Sequence, residues 1–485
     1  MMTTEQRVEY YRDPWVRQRI GEFLGGDLSQ DPTCRYLTAG DERSHRLHER
    51  RDYRSLDSLL ASGSEIYRSL WDENSMLADF DIEYVNFDHP VEAFLEPGRV
   101  FALLEPVVRA IKDLFSEYGL TALQYLTGRG HHFVWRIQRH SDAFVRLASL
   151  ARGPESLWAA EAEPHSPEGR KVSPELARAF AGLGLVMEFL AHRVMATAAS
   201  RTAIPVELTA IEVGPSEHGR EMISIDLSEY GDPLYSRMIR APFSVYLKPW
   251  QQAWSSGQPF PDLPPLLVIP LKEMSDEQGL AHMRDPRAAM RLARSTDTTI
   301  PEANAGVNQL ISAYEGSSLA QFHRFYYAEE PHPAEEWPAT YDQTPLDILP
   351  ACARIILEQP NDLLLRPGCI RRLVRVFLAL GWHPRHIAGL IYSKYARPFG
   401  WTQLQGYDAM TRADFYARLF AGLFATGRDD LIDLNCVSAQ EQKTCFFLDC
   451  GENLLRYRES ALHRRKYGKL AHRPFHRLLL PTEHS

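Results

Sequence analysis

The strongest constraint in this sequence is a short stretch, residues 77–85, in which apolar and polar side chains alternate. It reads LADFDIEYV and is bounded by polar residues, which is typical of a β-strand. Side chains two positions apart in a strand point to the same face, so Asp79 and Asp81 share one face. Phe80 and Ile82 then face the core, and the two carboxylates repel each other unless a divalent cation lies between them. The pair therefore indicates a metal site, although the exposed face of an edge strand gives the same pattern.

Two further segments could complete such a site. Asp226 ends a second alternating segment, MISID, and with the first pair it could form the three-carboxylate centre of two-metal phosphoryl or nucleotidyl transfer. Residues 122–137, ALQYLTGRGHHFVWRI, predict two strands joined by a turn whose glycines let backbone N–H groups approach a phosphate. Arg129 could neutralise charge there, and His132 lies on the strand face open to a ligand. A tight hairpin with a buried histidine is the alternative.

A third segment, residues 237–248, reads RMIRAPFSVYLK and carries two cations that could bind phosphate. The even spacing of Arg240, Ser244, Tyr246 and Lys248 predicts that they share one face of a strand. Two cations and a hydroxyl on one face suit a triphosphate. An exposed strand face with basic residues that aid solubility is the alternative.

Composition narrows the class of protein. The chain has 485 residues, which suggests two to four domains at about 100–200 residues each. Its 44% hydrophobic and 24% charged residues exclude collagen-like, coiled-coil and wholly disordered chains. A net charge of −9 argues against a uniformly basic nucleic-acid coat but permits a basic patch. We find no apolar run of about 20 residues and no signal-peptide pattern, and we therefore expect a cytoplasmic protein without a membrane partner.

Taken in order, the three segments resemble the motifs of the archaeo-eukaryotic primase superfamily. That family carries a D-x-D strand, an S-G-x-G-x-H type turn, and a third Asp followed by R-x-P-x-S-x-x-x-K. The resemblance covers about residues 75–250 and implies an α/β (α+β) catalytic domain of primase type, with an RRM-like mixed sheet and helices. It implies that Asp79, Asp81 and Asp226 hold two ions, Mg²⁺ or Mn²⁺. The residues that it implies for nucleotide binding are Thr127, Arg129, Gly130, His132, Arg240, Ser244 and Lys248.

The sequence departs from the family motifs at two positions. Thr127 stands where the family usually has Ser, which keeps the hydroxyl. Tyr246 stands where many members have His, which leaves the preference between ribonucleotides and deoxyribonucleotides open.

The C-terminal half resembles the iron–sulfur domain of the primase large subunit. In that domain one Cys opens a helix and three later Cys complete the cluster site, which implies Cys352, Cys436, Cys445 and Cys450 here. Thiolates suit a [4Fe–4S] cluster or Zn²⁺. Cys445 and Cys450, with four residues between them, also look like the zinc element of eukaryotic primase-polymerases. Small buried hydrophobic side chains are the alternative reading of these cysteines.

Together these resemblances predict a single-chain DNA primase-polymerase. It would transfer nucleotides from NTP or dNTP on a single-stranded DNA template and primer. Unwinding would fall to a separate helicase, since no GxxxxGK[ST] motif is present. The alternatives are a catalytically inactive primase-like protein that binds nucleic acid or senses nucleotides, as an accessory or defence protein, and a different metal-dependent nucleotidyl or phosphoryl transferase.

The predicted division of the chain has four parts. They are an N-terminal helical region that packs on the catalytic domain (1–74), the catalytic domain (75–275), an irregular linker (276–345), and a mostly α-helical metal-binding domain with a basic C-terminal tail (346–485).

Overall fold

The computed structural model describes residues 1–26, 32–43, 50–152, 172–358, 362–396 and 409–467. Within them strands and helices are mixed, which confirms the predicted α/β class, and the described residues after 346 are mostly helical, as predicted. The part of the predicted basic tail that follows residue 467 lies outside the described residues. No observation tests the predicted boundaries between the four parts.

Nine strands occur in the described part of the chain. They are β1 (Leu37–Gly40), β2 (Glu65–Ser69), β3 (Ser75–Asn86), β4 (Leu123–Thr127), β5 (Gly130–Gln138), β6 (Val206–Leu208), β7 (Glu221–Asp226), β8 (Met238–Arg240) and β9 (Ile269–Pro270).

A six-stranded sheet with β3 near its middle forms the centre of the fold. Its strand order is β6-β7-β3-β5-β4-β9, and every neighbouring pair is antiparallel except β6 and β7. The predicted strands at 77–85 and 122–137 are confirmed as β3 and as the β4–β5 hairpin. Phe80 and Ile82 are fully buried, as their place on the core face requires.

Eighteen α-helices accompany the strands in the described residues. Those before residue 300 are α1 (Thr4–Tyr11), α2 (Pro14–Phe23), α3 (Leu56–Ala61), α4 (Glu92–Leu95), α5 (Pro97–Tyr118), α6 (Asp142–Leu150), α7 (Pro174–Ala198), α8 (Lys248–Ser255), α9 (Asp276–Arg284) and α10 (Pro286–Ala293). Those after residue 300 are α11 (Asn304–Glu315), α12 (Ser318–Tyr326), α13 (Ala351–Glu358), α14 (Pro367–Ala379), α15 (Pro384–Tyr395), α16 (Ala409–Ala425), α17 (Cys436–Glu441) and α18 (Leu455–Tyr467).

Helix α5 covers the apolar face of the central sheet. Its apolar residues recur at helical spacing, and Gly119 ends the helix at a φ of +62°, a conformation that glycine adopts without steric cost. Phe101 packs against His131, and Phe115 packs against Phe133, with ring centroids 5.3 and 5.6 Å apart. His131 is therefore a core residue, and the opposite face of the sheet is left to the polar residues of β3.

Two local predictions are wrong. Residues 243–247 do not continue a strand: β8 ends at Arg240, Phe243 has a φ of +63°, and α8 begins at Lys248. Pro242 and Pro249 remove backbone donors that a strand would need. The segment 276–345 is not irregular throughout, because it contains α9 to α12.

The N-terminal region is joined to the loop that follows β8. Strands β1 and β2 form a three-stranded sheet with β8, so this region is not purely helical. The hydroxyl of Tyr10 donates to the carbonyl of Phe243 at 3.0 Å, and the hydroxyl of Tyr11 accepts from the Val245 N–H at 2.9 Å. These contacts hold the loop in place against the sheet.

By length and composition, helix α7 could cross a membrane, whereas the sequence was expected to contain no such segment. In its most apolar 18-residue window, 78% of the residues are buried inside the protein, as in the core helix of a globular protein. Buried ion pairs tie α7 to the later helices: Glu188 accepts from His323 at 3.2 Å and from Arg418 at 3.1 Å. The sheet and the C-terminal helices are therefore linked through α7.

The close crossing of α6 and α7 predicts that Gly182→Ala destabilises the protein. A Cβ at Gly182 would lie 1.9 Å from the carbonyl oxygen of Leu147, so the two helices would have to separate. We expect the free energy of unfolding to fall by about 1–3 kcal/mol in urea titrations. The control is Gly21→Ala in α2, where an added Cβ meets nothing within 4 Å and helix propensity favours alanine. Equal stability of the Gly182→Ala variant and the wild type would contradict the packing described here.

Candidate active site

Three carboxylates form a row along one face of β3. Asp79, Asp81 and Glu83 alternate with core residues, so the strand periodicity places all three on the same side. Asp79 and Glu83 are buried, and Asp81 is half-buried. The sequence analysis found the first two and missed Glu83, although the continued spacing D-x-D-x-E carries the same signal.

Asp226 faces this row from the neighbouring strand. The register of β3 and β7 places Asp226 directly opposite Asp81, and such pairs in antiparallel strands have Cβ atoms about 4.5–5.5 Å apart. One carboxylate oxygen of Asp226 accepts from the Ser228 N–H at 2.8 Å, which orients the side chain. The structure therefore brings together the three carboxylates that the sequence singled out.

His132 bridges two of these carboxylates. Its Nδ1 lies 2.9 Å from Asp79 Oδ2 and its Nε2 lies 3.5 Å from Asp81 Oδ1. Burial opposes a charge on the ring, but Asp79 and Asp81 outweigh it and raise the pKa of His132 to about 9. The ring also stacks on Tyr125, with centroids 5.0 Å apart. His132 thus contacts Asp79 and Asp81 directly.

Asp81 carries an unsatisfied acceptor. Its Oδ1 is buried and makes no hydrogen bond with the described residues, since His132 Nε2, at 3.5 Å, forms only an ion-pair contact with it. Burial raises the pKa of Asp81 well above its usual range, and Glu83, Asp79 and Asp226 raise it further, against the lowering effect of His132. Carboxylate oxygens with such a surplus of negative charge suit Mg²⁺ or Mn²⁺. In the described residues, however, no three His, Cys, Asp or Glu side chains are already arranged as ligands around one metal position.

Glu229 is a further carboxylate that the sequence analysis missed. Burial raises the pKa of its carboxyl well above its usual range, and the nearby charges of Asp79 and Asp226 add to this effect. Its neighbour Tyr230 donates to the Asp79 carbonyl at 3.0 Å, which fixes this turn against β3. Glu229 follows Asp226 by three positions in a short 3₁₀ turn, a placement that strand periodicity does not reveal.

Each predicted phosphate-binding cation is paired with a glutamate. Lys248 Nζ lies 3.1 Å from Glu83 Oε1, and Arg129 contacts the other carboxylate oxygen, Oε2. Arg240 Nε lies 2.6 Å from the fully buried Glu65. Lys248 and Arg129 therefore lie beside the carboxylate row, although Lys248 opens a helix rather than lying on the predicted strand.

The remaining predicted nucleotide-binding residues make contacts that maintain the fold. Thr127 is buried and its hydroxyl donates to the Gly130 carbonyl at 3.4 Å, within the turn. A Cβ at Gly130 would lie 1.9 Å from the Ile82 carbonyl oxygen, so glycine is required there by the approach of β5 to β3. Ser244 is fully buried and accepts from the Ile66 N–H at 2.8 Å, which links the loop to β2.

The four cysteines predicted to hold a cluster share one neighbourhood. Burial raises the pKa of the Cys352 thiol and Arg372 lowers it, while Cys445, Cys436 and Cys450 lie close enough to raise it further. They belong to α13, to the start of α17 and to the loop after α17, so the chain brings distant positions together. The described cysteines do not converge on metal-ligand geometry.

Comparisons with known proteins add little to this picture. No protein-family model matches the sequence, and no curated protein matches it. Among solved structures, the polymerase domain of Mycobacterium tuberculosis ligase D in complex with DNA is 16% identical, with 61% of this chain and 90% of that chain covered. The TM-score is 0.31, and nothing about this chain is inferred from a likeness this weak.

The His132 bridge predicts a histidine that stays protonated in alkaline solution. In metal-free protein, we expect an NMR titration of the His132 ring to give a pKa of about 9, and Asp79→Asn to lower it. This pKa exceeds the value of about 6.5 in the unfolded chain. Protonated His132 therefore stabilises the folded state fully below pH 6.5, and this stabilisation is lost as the pH rises through 9. The loss in the free energy of unfolding should be about 3 kcal/mol. A ring that titrates at or below pH 6.5 would contradict the bridge.

Proposed function

We propose that the chain is a template-directed nucleotidyltransferase, a DNA primase-polymerase that acts on single-stranded DNA. The observation that supports this best is the carboxylate cluster of β3 and β7 next to the cations of the β4–β5 turn and α8. Carboxylates and cations side by side suit a metal-bound triphosphate. The carboxylates can bind its metal ions, and the cations can bind its phosphate oxygens. The motif resemblance described above points to the same reaction.

In this proposal Asp79, Asp81 and Asp226 hold the divalent cations. The cations, once bound, would activate the attacking 3′-hydroxyl and stabilise the leaving pyrophosphate. The unsatisfied oxygen of Asp81 and the oxygen-rich ligand set fit Mg²⁺ or Mn²⁺. His132 holds a proton between Asp79 and Asp81 in the metal-free site, and so offsets part of their repulsion.

Arg129 and Lys248 would hold the triphosphate. Arg240, which is paired with the buried Glu65, would add positive charge nearby. Arg129 is fixed by the turn, since its carbonyl accepts from the Tyr84 N–H at 2.9 Å. Lys248 is the first residue of α8, and the N-terminus of a helix favours anions. Positioned cations of this kind orient the phosphates without moving during the reaction.

Nucleotide incorporation on single-stranded DNA tests the proposed reaction. We expect the purified protein to incorporate nucleotides in Mg²⁺ or Mn²⁺, and Asp81→Asn to reduce the rate about a hundredfold or more by removing a metal ligand. Asp113→Asn is the matched control, because Asp113 is an exposed residue of α5. Reactions with and without a primer, and with NTP or dNTP, separate priming from extension and define the preferred sugar.

Two results would contradict this proposal. Full activity in the Asp81→Asn variant would show that the reaction occurs elsewhere. No product from folded wild-type protein under any condition would favour the inactive nucleotide-sensing or DNA-binding alternative.

We further propose that Cys352, Cys436, Cys445 and Cys450 bind a [4Fe–4S] cluster, or Zn²⁺ in its place. Protein purified without oxygen should contain stoichiometric iron or zinc by elemental analysis, and a cluster should also give visible absorbance. Cys436→Ser should lose this metal, whereas Cys34→Ala should keep it, since Cys34 is buried in the N-terminal region. Metal-free wild-type protein, or full retention by Cys436→Ser, would overturn this assignment.

A further inference from the structure

Arg129 and Lys248, the cations beside the carboxylate row, are already paired with a carboxylate of the chain itself. Glu83 is buried, and each of its carboxylate oxygens contacts a different cation: Oε1 contacts Lys248 and Oε2 contacts Arg129. A carboxylate held in this way takes the place that phosphate oxygens would take. The site therefore contains both the cations and a competitor for them.

The surroundings of Glu83 contain more donors than it can satisfy. Arg129 Nε and Tyr246 Oη are both buried, and neither has a hydrogen-bond partner among the residues that the structure describes. Tyr246 lies against the turn that carries Arg129, since a Cβ at Gly128 would be 2.7 Å from its ring. The guanidinium carbon of Arg240 is 4.5 Å from the ring centroid of Tyr246. Buried donors without acceptors cost free energy, and an anion with more oxygens than one carboxylate would satisfy them.

The backbone around Glu83 cannot move to release these cations. Glu83 lies in the middle of β3, opposite Gly130 on β5 and Ser224 on β7. The contacts of Glu83 with Arg129 and Lys248 can therefore be broken by rotation of side chains, without a shift of β3. Because Asp79 and Asp81 lie in the same row, a rotated Glu83 stays on the face that carries the other carboxylates.

We infer that Glu83 is a resident competitor of the nucleotide: it holds Arg129 and Lys248 in the empty site and gives both up to the terminal phosphates of a triphosphate. This inference rests on the proposed function. Glu83 is a positioning residue, since it acts through the two cations. The apparent affinity for the triphosphate is then the intrinsic affinity reduced by the fraction of sites in which the cations are free.

Binding of inorganic tripolyphosphate to the full-length protein tests this inference. Calorimetry in EDTA excludes metal binding from the measurement. If the cations are free in about a tenth of the wild-type sites, Glu83→Gln should bind tripolyphosphate about tenfold more tightly. Glu117→Gln is the matched control: Glu117 forms an exposed ion pair with Arg193, and its removal should leave the affinity unchanged. Equal or weaker binding by Glu83→Gln would overturn the inference, because a purely structural Glu83 would loosen the cations when removed.

Two further variants keep the test decisive. Glu83→Asp keeps the charge but shortens the side chain, so it should bind more tightly than the wild type even if Glu83→Gln fails to fold. Adding Lys248→Gln to Glu83→Gln should abolish the gain. Tight binding that survives the loss of Lys248 would place the anion elsewhere and overturn the inference.

The outcome also separates this inference from the proposed function. An active polymerase whose Glu83 variants bind tripolyphosphate no more tightly would refute the role of Glu83 alone. If neither the wild type nor the Glu83 variants bind tripolyphosphate, and no nucleotide is incorporated, both the inference and the proposed function fail.

Discussion

The site depends on one electrostatic constraint: carboxylates that lie side by side on a buried strand face repel one another and need positive charges beside them. The pairing of β3 with β5 and β7 forces Asp79, Asp81, Glu83 and Asp226 onto this face. His132 lies between the two aspartates of β3, and Arg129 and Lys248 offset Glu83. Because buried charges are tolerated only when they are paired, the row dictates which residues surround it.

The C-terminal helices are held to the sheet by charged contacts as well. Glu188 on α7 binds Arg418 on α16, and Arg220, next to β7, donates to the Gln442 carbonyl at 2.9 Å. Lys443 reaches Asp88 just after β3, at 2.7 Å. The segment that precedes Cys445 is therefore anchored near the end of the strand that carries the carboxylate row. A metal bound by the cysteines would brace this contact between the two parts of the chain.

Local patterns in the sequence predicted most of the strands near the site but not the ion pairs between distant residues. Alternation identified β3 and the β4–β5 hairpin, and the same periodicity placed Asp79 and Asp81 together. The strand expected around Ser244 failed because Phe243 adopts a positive φ between two prolines, which spacing alone does not show. The ion pairs of Glu65 with Arg240 and of Glu83 with Lys248 join positions more than 160 residues apart, and no short-range signal predicts them.

The most direct test of this account is the anomalous scattering of Mn²⁺ in crystals grown with a non-hydrolysable nucleoside triphosphate. We expect manganese held by Asp79, Asp81 and Asp226, terminal phosphates on Arg129 and Lys248, and a Glu83 side chain turned away from both cations. Manganese and nucleotide bound away from β3, with the Glu83 ion pairs intact, would contradict it.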